Sequence, residues 1–387
     1  MKTPTLRRLG GFSVVEVLVS VVVGLLAVMF ATRLLATSEQ EKSASLGGSD
    51  TMQNGMLALF SLNYDAAQAG WGLNDTLVNG CNTLMKDAEG YELLTAKLGG
   101  ADVTPLAPVV IVNNGDSSDV VSLNSGASMA GVGNVTLADL YAGGTDIRVT
   151  SNNPFGFNKG DVLLVAPEPA GGNCSLAQLS DVNKDLLSIA SGSGMRFNNG
   201  AGLLGGVYNQ TNKARVYNLG PASKFALHTW SVDKGVLQLR ASNLAGSAQT
   251  PQSVIGNVVA IKAQYGFDTR ATFDPLQSAQ VSLWSGDLID ADNSGVIGDA
   301  GDYQRVTAVR LAVIARSQVP DKPDPATGKC SATTARLNVF TSTTPAGVAP
   351  APVAVRLDIP GDTLDWTCYR YRAFETVVQI RNNAWRP

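Results

Sequence analysis

The sequence predicts an α+β protein, one long N-terminal helix carrying a large, mainly antiparallel β head with room for two subdomains. Three observations predict it. Residues 12–36 form an apolar run in which only Glu16 and Arg33 are charged. No proline occurs between Pro4 and Pro105, so nothing interrupts a helix through that span. From about residue 71 onward, short β-branched runs alternate with turns rich in Gly, Asn and Ser.

The N-terminal elements follow from charge and hydropathy. Residues 1–11 are a basic leader (Lys2, Arg7, Arg8) that ends in Gly10-Gly11. The 25 residues from Phe12 to Ala36 exceed the roughly 20 that a helix needs to cross a bilayer. No small-residue cleavage site closes the run, because Arg33 follows Ala31-Thr32, and this argues against an ordinary secretory signal. The basic leader orients the span with its N-terminus in the cytoplasm and everything after Ala36 outside. A carboxylate inside a membrane helix costs about 2.5–3.5 kcal/mol, so Glu16 calls for a purpose. The helix is expected over 12–70, with its membrane half at about 12–36. Met52, Met56, Leu59, Phe60 and Leu62 recur at helical spacing, and the expectation is that this stripe packs beneath the head. Gly24 and Gly47-Gly48 each weaken a helix by about 1 kcal/mol relative to alanine and are candidate bends.

Beyond the helix roughly 320 residues remain, enough for a substantial core. The division expected is a first β-rich region, 71–213, and a C-terminal sheet region, 214–387. Strands are predicted at 109–112, 119–123, 146–150, 161–165 and 184–190, with a glycine- and asparagine-rich loop over 192–206. Further strands are predicted at 215–217, 226–230, 236–240, 258–267, 304–317, 336–341 and 369–381. In the 304–317 run Thr307, Val309, Leu311, Val313 and Ala315 share one face of a sheet.

Composition narrows function. Charged residues are only 16% of the chain, glycines number 40, and the formal net charge is −3, which gives no general attraction to nucleic acid. The four cysteines, Cys81, Cys174, Cys330 and Cys368, form no C-x-x-C pair, so a zinc site is not indicated. Outside the cytoplasm they favour disulfides. Three pairings exist; Cys81–Cys174 with Cys330–Cys368 is favoured because each bond then joins segments of one subdomain. No G-x-S-x-G, H-E-x-x-H or Walker loop is present, and the lone His228, beside Trp230 on a predicted strand, reads as a packed or surface residue. Catalysis is not expected.

One cluster is chemically distinctive. In the run from Asp290 to Asp302, oxygen donors stand at the first, third and fifth positions (Asp290, Asp292, Ser294), with glycine at the sixth. Asp299 and Asp302 add carboxylates. The run resembles an EF-hand-like calcium loop, but Gly301 replaces the bidentate glutamate at the twelfth position. A polar Asp/Gly turn between strands is the alternative. No cofactor is required; Ca²⁺ is the one candidate.

Gly10-Gly11-Phe12 with Glu16 resembles the type III signal of type IV prepilins, cut after Gly11. Asp65 to Trp71 (DAAQAGW), Asn158 to Ala166 (NKGDVLLVA), Gln264 to Thr269, Val309 to Ser317 (VRLAVIARS) and Tyr371 to Asn382 (YRAFETVVQIRN) resemble, in order, the PilW family of minor pilins. The resemblance implies cleavage by prepilin peptidase and N-methylation of Phe12, whose amine would lie one turn from Glu16 and make that carboxylate an assembly device. It further implies a non-enzymatic minor pilin of a tip or priming complex. The implied partners are other minor pilins, the major pilin, a large tip adhesin and the inner-membrane assembly platform. The head would be periplasmic before assembly and on the pilus at the cell surface afterwards, serving adhesion or twitching motility. A large minor pseudopilin of type II secretion is the alternative within the superfamily. A membrane-anchored periplasmic binding module or hydrolase is the alternative from another class.

Overall fold

The computed structural model of the chain describes residues 13–128, 133–198, 203–273 and 279–384. The leader, Gly11 and Phe12 lie outside the described residues. The chain divides into two compact units, 1–50 and 51–387. A single helix, α1 (Val14–Gln68, 55 residues), runs from the first into the second, close to the 12–70 expected. It stays helical through Gly24, Gly47 and Gly48, so these glycines do not end it. In the first unit, the 22 residues Val14–Leu35 are long and apolar enough to cross a membrane, and none of them is buried.

The second unit is built of antiparallel sheets. A four-stranded sheet has the order Leu283–Ser285, Val258–Phe267, Val306–Arg316, Tyr371–Gln379. A five-stranded sheet runs Gln252–Gly256, Val236–Ala241, Ala226–Asp233, Val120–Ser125, Val109–Val112. One core joins both sheets to the last turns of α1, through Ala58, Leu62 and Ala66 from the helix and Val309, Leu311 and Val313 from the sheet. A six-stranded sheet lies elsewhere in the head, with Asp161–Pro167 at its middle between Cys174–Gln178 and Ala214–Pro221. Its one parallel pairing joins Cys81–Leu84 to Cys174–Gln178.

The division expected at 213/214 does not follow these sheets. The strand Ala214–Pro221 pairs along Asp161–Pro167, and Val120–Ser125 pairs with Ala226–Asp233. Hydrophobic runs mark strands but not their partners, so a boundary read from local pattern falls between neighbours that are remote in sequence. The predicted alternation in 304–317 is also only half of what is found. Val309, Leu311 and Val313 do face the helix-side core, but Ala312 and Ile314 on the opposite face are buried too, against Val339, Phe340, Val355 and Leu357. C-terminal segments cover a face that usually meets water.

Both disulfides form in the favoured pairing. Cys81 and Cys174 have Cα atoms 6.0 Å apart, and Cys330 and Cys368 have theirs at 4.8 Å. The first bond clips the two strands of the parallel pairing, and the second ties the segment after Val306–Arg316 to the chain just before Tyr371–Gln379. Each closes a long loop, worth about 4 kcal/mol by the chain-entropy argument.

A buried ion pair staples the two sheets. Lys262, on Val258–Phe267, and Asp119, just before Val120–Ser125, are both sequestered from solvent and in direct contact. The ammonium also donates to the carbonyls of Gly115 and Ser117 at 2.9 and 3.1 Å. The carboxylate accepts from the Asn114 and Ala263 amides at 3.0 and 2.9 Å. Burial nevertheless pushes the Asp119 carboxyl above its ordinary range, against the pull of Lys262.

Candidate functional site: the junction of helix and head

The face of α1 that docks on the head is made mostly of small residues. Thr51, Gly55, Ala58, Leu62 and Ala66 are buried at spacings of three and four, one stripe of a helix. Gly55 is essential to the approach: a Cβ there would lie 2.1 Å from Cε2 of Phe374, whose ring occupies that space. The expected stripe is therefore corrected. Leu62 is buried and Leu59 packs against the core, but Met52, Met56 and Phe60 are exposed, with Tyr64 one turn further on. Hydrophobicity alone pointed to the wrong face, because a helix that approaches a sheet closely uses glycine and alanine where a more distant one would use leucine.

The end of α1 is pinned by polar contacts from residues remote in sequence. Asp65 Oδ2 accepts from His228 Nδ1 at 2.7 Å and from Trp230 Nε1 at 2.8 Å. The other ring nitrogen of His228 faces Asn243 Oδ1 at 2.8 Å. Burial alone would lower the His228 pKa, but the hydrogen bond and negative charge of Asp65 outweigh it and hold the imidazole above its usual value. At the last turn, Asn382 Nδ2 donates to the carbonyls of Gln68 and Ala69, both at 3.1 Å, which satisfies acceptors a helix end leaves open. The Gly70 amide donates to Asn124 O at 2.8 Å. Trp71 Nε1 donates to Ser128 O at 3.3 Å. The segments 65–71 and 371–382, both singled out by the resemblance, thus meet at one junction. Nothing in the sequence pairs Phe374 with Gly55 or Asn382 with Gln68; the only local signal was a glycine inside a helical pattern.

Glu16 lies in the first turn of α1, where the helix dipole favours an anion. Its proposed partner, the amine of Phe12, is outside the described residues.

In the acidic loop, Asp290, Asp292 and Asp302 each present a carboxylate oxygen within 4.8 Å of the others; Asp299 is not among them. Asp299 instead caps the short helix Ala300–Gln304, accepting from the Asp302 amide at 3.1 Å, and takes a bond from Ser294 Oγ at 2.9 Å. Asp302 is buried and gathers the loop around itself, accepting from the amides of Ala291 at 2.6 Å and Gly298 at 2.7 Å. Burial, with Asp299 nearby, pushes its carboxyl up to about 6. The glycine at the twelfth position has a steric cause: a Cβ on Gly301 would stand 1.9 Å from Asp292 Oδ2. A glutamate there would have to displace the Asp292 carboxylate.

An apolar N-terminal helix, continued by a half docked on mainly antiparallel sheets, is an α+β fold. Residues 225–382 match the family model of PilW, Type IV Pilus-assembly protein W. Residues 225–382 are thus similar to the family whose motifs the C-terminal segment resembles. Among solved structures, a type IV-like pilin from Thermus thermophilus is similar at 16% identity, with a TM-score of 0.22 and coverage of 59% of this chain and 87% of that one. No curated protein matches the chain.

Proposed function

We propose that this protein is a non-enzymatic minor pilin of a type IV pilus, held in the inner membrane by Val14–Leu35 and then built into a tip or priming complex with other minor pilins. The observation that carries this reading is the division of labour on α1. One face of its second half is consumed by the head, while Met52, Met56, Phe60 and Tyr64 are left 45–64% exposed in a row at four-residue spacing. Such a ridge suits packing against a neighbouring helix, and the family match over 225–382 supports pilus machinery as its source. Prepilin peptidase would cut after Gly11 and methylate Phe12, and Glu16 would pair with that amine or a neighbour's during assembly. The major pilin, a tip adhesin and the assembly platform are the further partners, and adhesion or twitching motility the output. Replacing Met56 and Phe60 together by Asp tests the reading. The expected result is a normally folded, membrane-resident protein that no longer co-purifies with sheared pili; normal incorporation would refute it.

We also propose that the loop carrying Asp290, Asp292 and Asp302 takes Ca²⁺, weakly because Gly301 leaves the twelfth ligand position vacant. Convergence of three carboxylates supports this, since a divalent ion offsets their repulsion.

A further inference from the structure

Two adjoining hollows on the head are lined in a way the pilus reading does not use. The larger, about 860 Å³, lies within the size range of small-molecule sites, roughly 300–1,000 Å³. The smaller is about 210 Å³. They share Asn158, Asp161 and Pro221, so they form one continuous groove. Each has a buried side chain in its wall with an unpaired polar atom: Gln178 Oε1, on a residue 4% exposed, in the larger, and Ser128 Oγ, on a residue 2% exposed, in the smaller. Buried polar atoms normally find partners, so two orphans beside one groove call for an explanation. Phe155 stands at the smaller hollow with 90% of its surface exposed, more than any other large apolar side chain among the described residues. The charged residues of the lining are Glu89, Lys159, Asp161 and Arg196, of which Lys159 is exposed. Arg196 is already paired with Asp87 and Glu89, and Asp161 is occupied by the Asn158 amide and by Asn218 Nδ2, both at 2.9 Å.

We propose that this groove binds an oligosaccharide. A bare aromatic ring offers the apolar C–H face of a sugar something to stack on. Amide and hydroxyl side chains around it, Asn158, Ser223, Ser242 and Asn243 among them, can exchange hydrogen bonds with sugar hydroxyls. A stacking ring beside amides and hydroxyls suits a sugar better than a lipid tail, which would strand those polar groups, or a nucleotide, whose phosphates would face Glu89 and Asp161. The groove is also open at its rim: a Cβ on Gly192 would meet nothing within 4 Å, and its backbone is not in the left-handed region, so a side chain can be introduced there without strain.

The test uses the detergent-solubilised full chain on an array of bacterial and host glycans, with affinity for the best-retained glycan then measured by calorimetry. It is independent of pilus incorporation, so its failure leaves the pilus reading standing. The expected result is retention of one related set of glycans, at least tenfold weaker binding in Phe155→Ala, and loss of binding in Gly192→Trp, with unchanged melting in Phe155→Ala. Because Phe155 is exposed, that variant separates recognition from folding even if Gly192→Trp is unstable. Absence of retention on the array, or wild-type affinity in Phe155→Ala, would overturn the proposal.

Discussion

The Asp65–His228 contact predicts how the docking of α1 responds to pH. Both nitrogens of the His228 ring face oxygen acceptors, so the bonded form is the imidazolium. Its folded pKa is raised above the ordinary histidine value, by the sign of the Asp65 bond and charge over the opposing burial. A group of this kind contributes stability that is complete below the unfolded pKa, near 6.5, and is lost as pH rises through the higher folded value. The lost coupling is one hydrogen bond between charged groups that are largely shielded from solvent, about 1.5–3 kcal/mol. Asp65→Ala removes that bond and leaves the Trp230 indole N–H without its acceptor, for a total cost of about 2–4 kcal/mol at pH 6. The assay is thermal melting of the detergent-solubilised protein from pH 5.5 to 9, at one scan rate for wild type, Asp65→Ala and His228→Gln. The gap between wild type and Asp65→Ala is expected to be widest at the acidic end and to narrow above neutrality. His228→Gln should lose most of this narrowing. Parallel pH profiles for all three proteins would refute the assignment of a charged histidine at the junction.

Four further outcomes are expected. Gly55→Leu should undock the helix end, seen as fast hydrogen exchange over 55–68, because Phe374 leaves no room for a side chain; protection at wild-type level would contradict the close approach. Asp119→Ala should destabilise the head by about 3–5 kcal/mol by stranding a buried ammonium, whereas Asp119→Ala with Lys262→Met should recover much of the loss in denaturant melts. Glu16→Ala should leave the protein at normal membrane levels, since removing a charge eases insertion, while the pilus count falls; normal piliation would make Glu16 a passenger. Calcium at millimolar concentration should raise the melting temperature of wild type but not of Asp290→Ala/Asp292→Ala, and equal melts with calcium and with chelator would reduce the loop to a turn.

What the sequence revealed and what it hid divides along one physical line. The apolar segment Val14–Leu35, the helix Val14–Gln68, the strands Val109–Val112, Val258–Phe267 and Val306–Arg316 and the acidic loop were legible because each is signalled by a local pattern of neighbouring residues. Contacts across the fold were not. The docked face of α1 was misread because a hydropathy pattern ranks methionine and phenylalanine above glycine and alanine. The choice actually depends on Phe374, more than three hundred residues away, filling the space over Gly55. His228 was legible only as a residue unsuited to catalysis, since Asp65 and Asn243 reach it from different elements.

The same line explains what kind of molecule this is. On the docked half of α1 most of the buried positions are small or polar, Leu62 being the exception, while the large apolar side chains Met52, Met56 and Phe60 remain outside. A chain folding for its own stability alone would bury those side chains and gain about 1.5–3 kcal/mol for each. Leaving three of them on one helix exposed to water is a standing cost, tolerable when another surface covers them. Within the head, by contrast, two buried cations are well accommodated: Lys262 meets three oxygens, and Arg310 lies between the rings of Trp284 and Phe340 while donating to Gln264. On the minor-pilin reading proposed above, a neighbouring helix packed along the exposed ridge of α1 removes that cost.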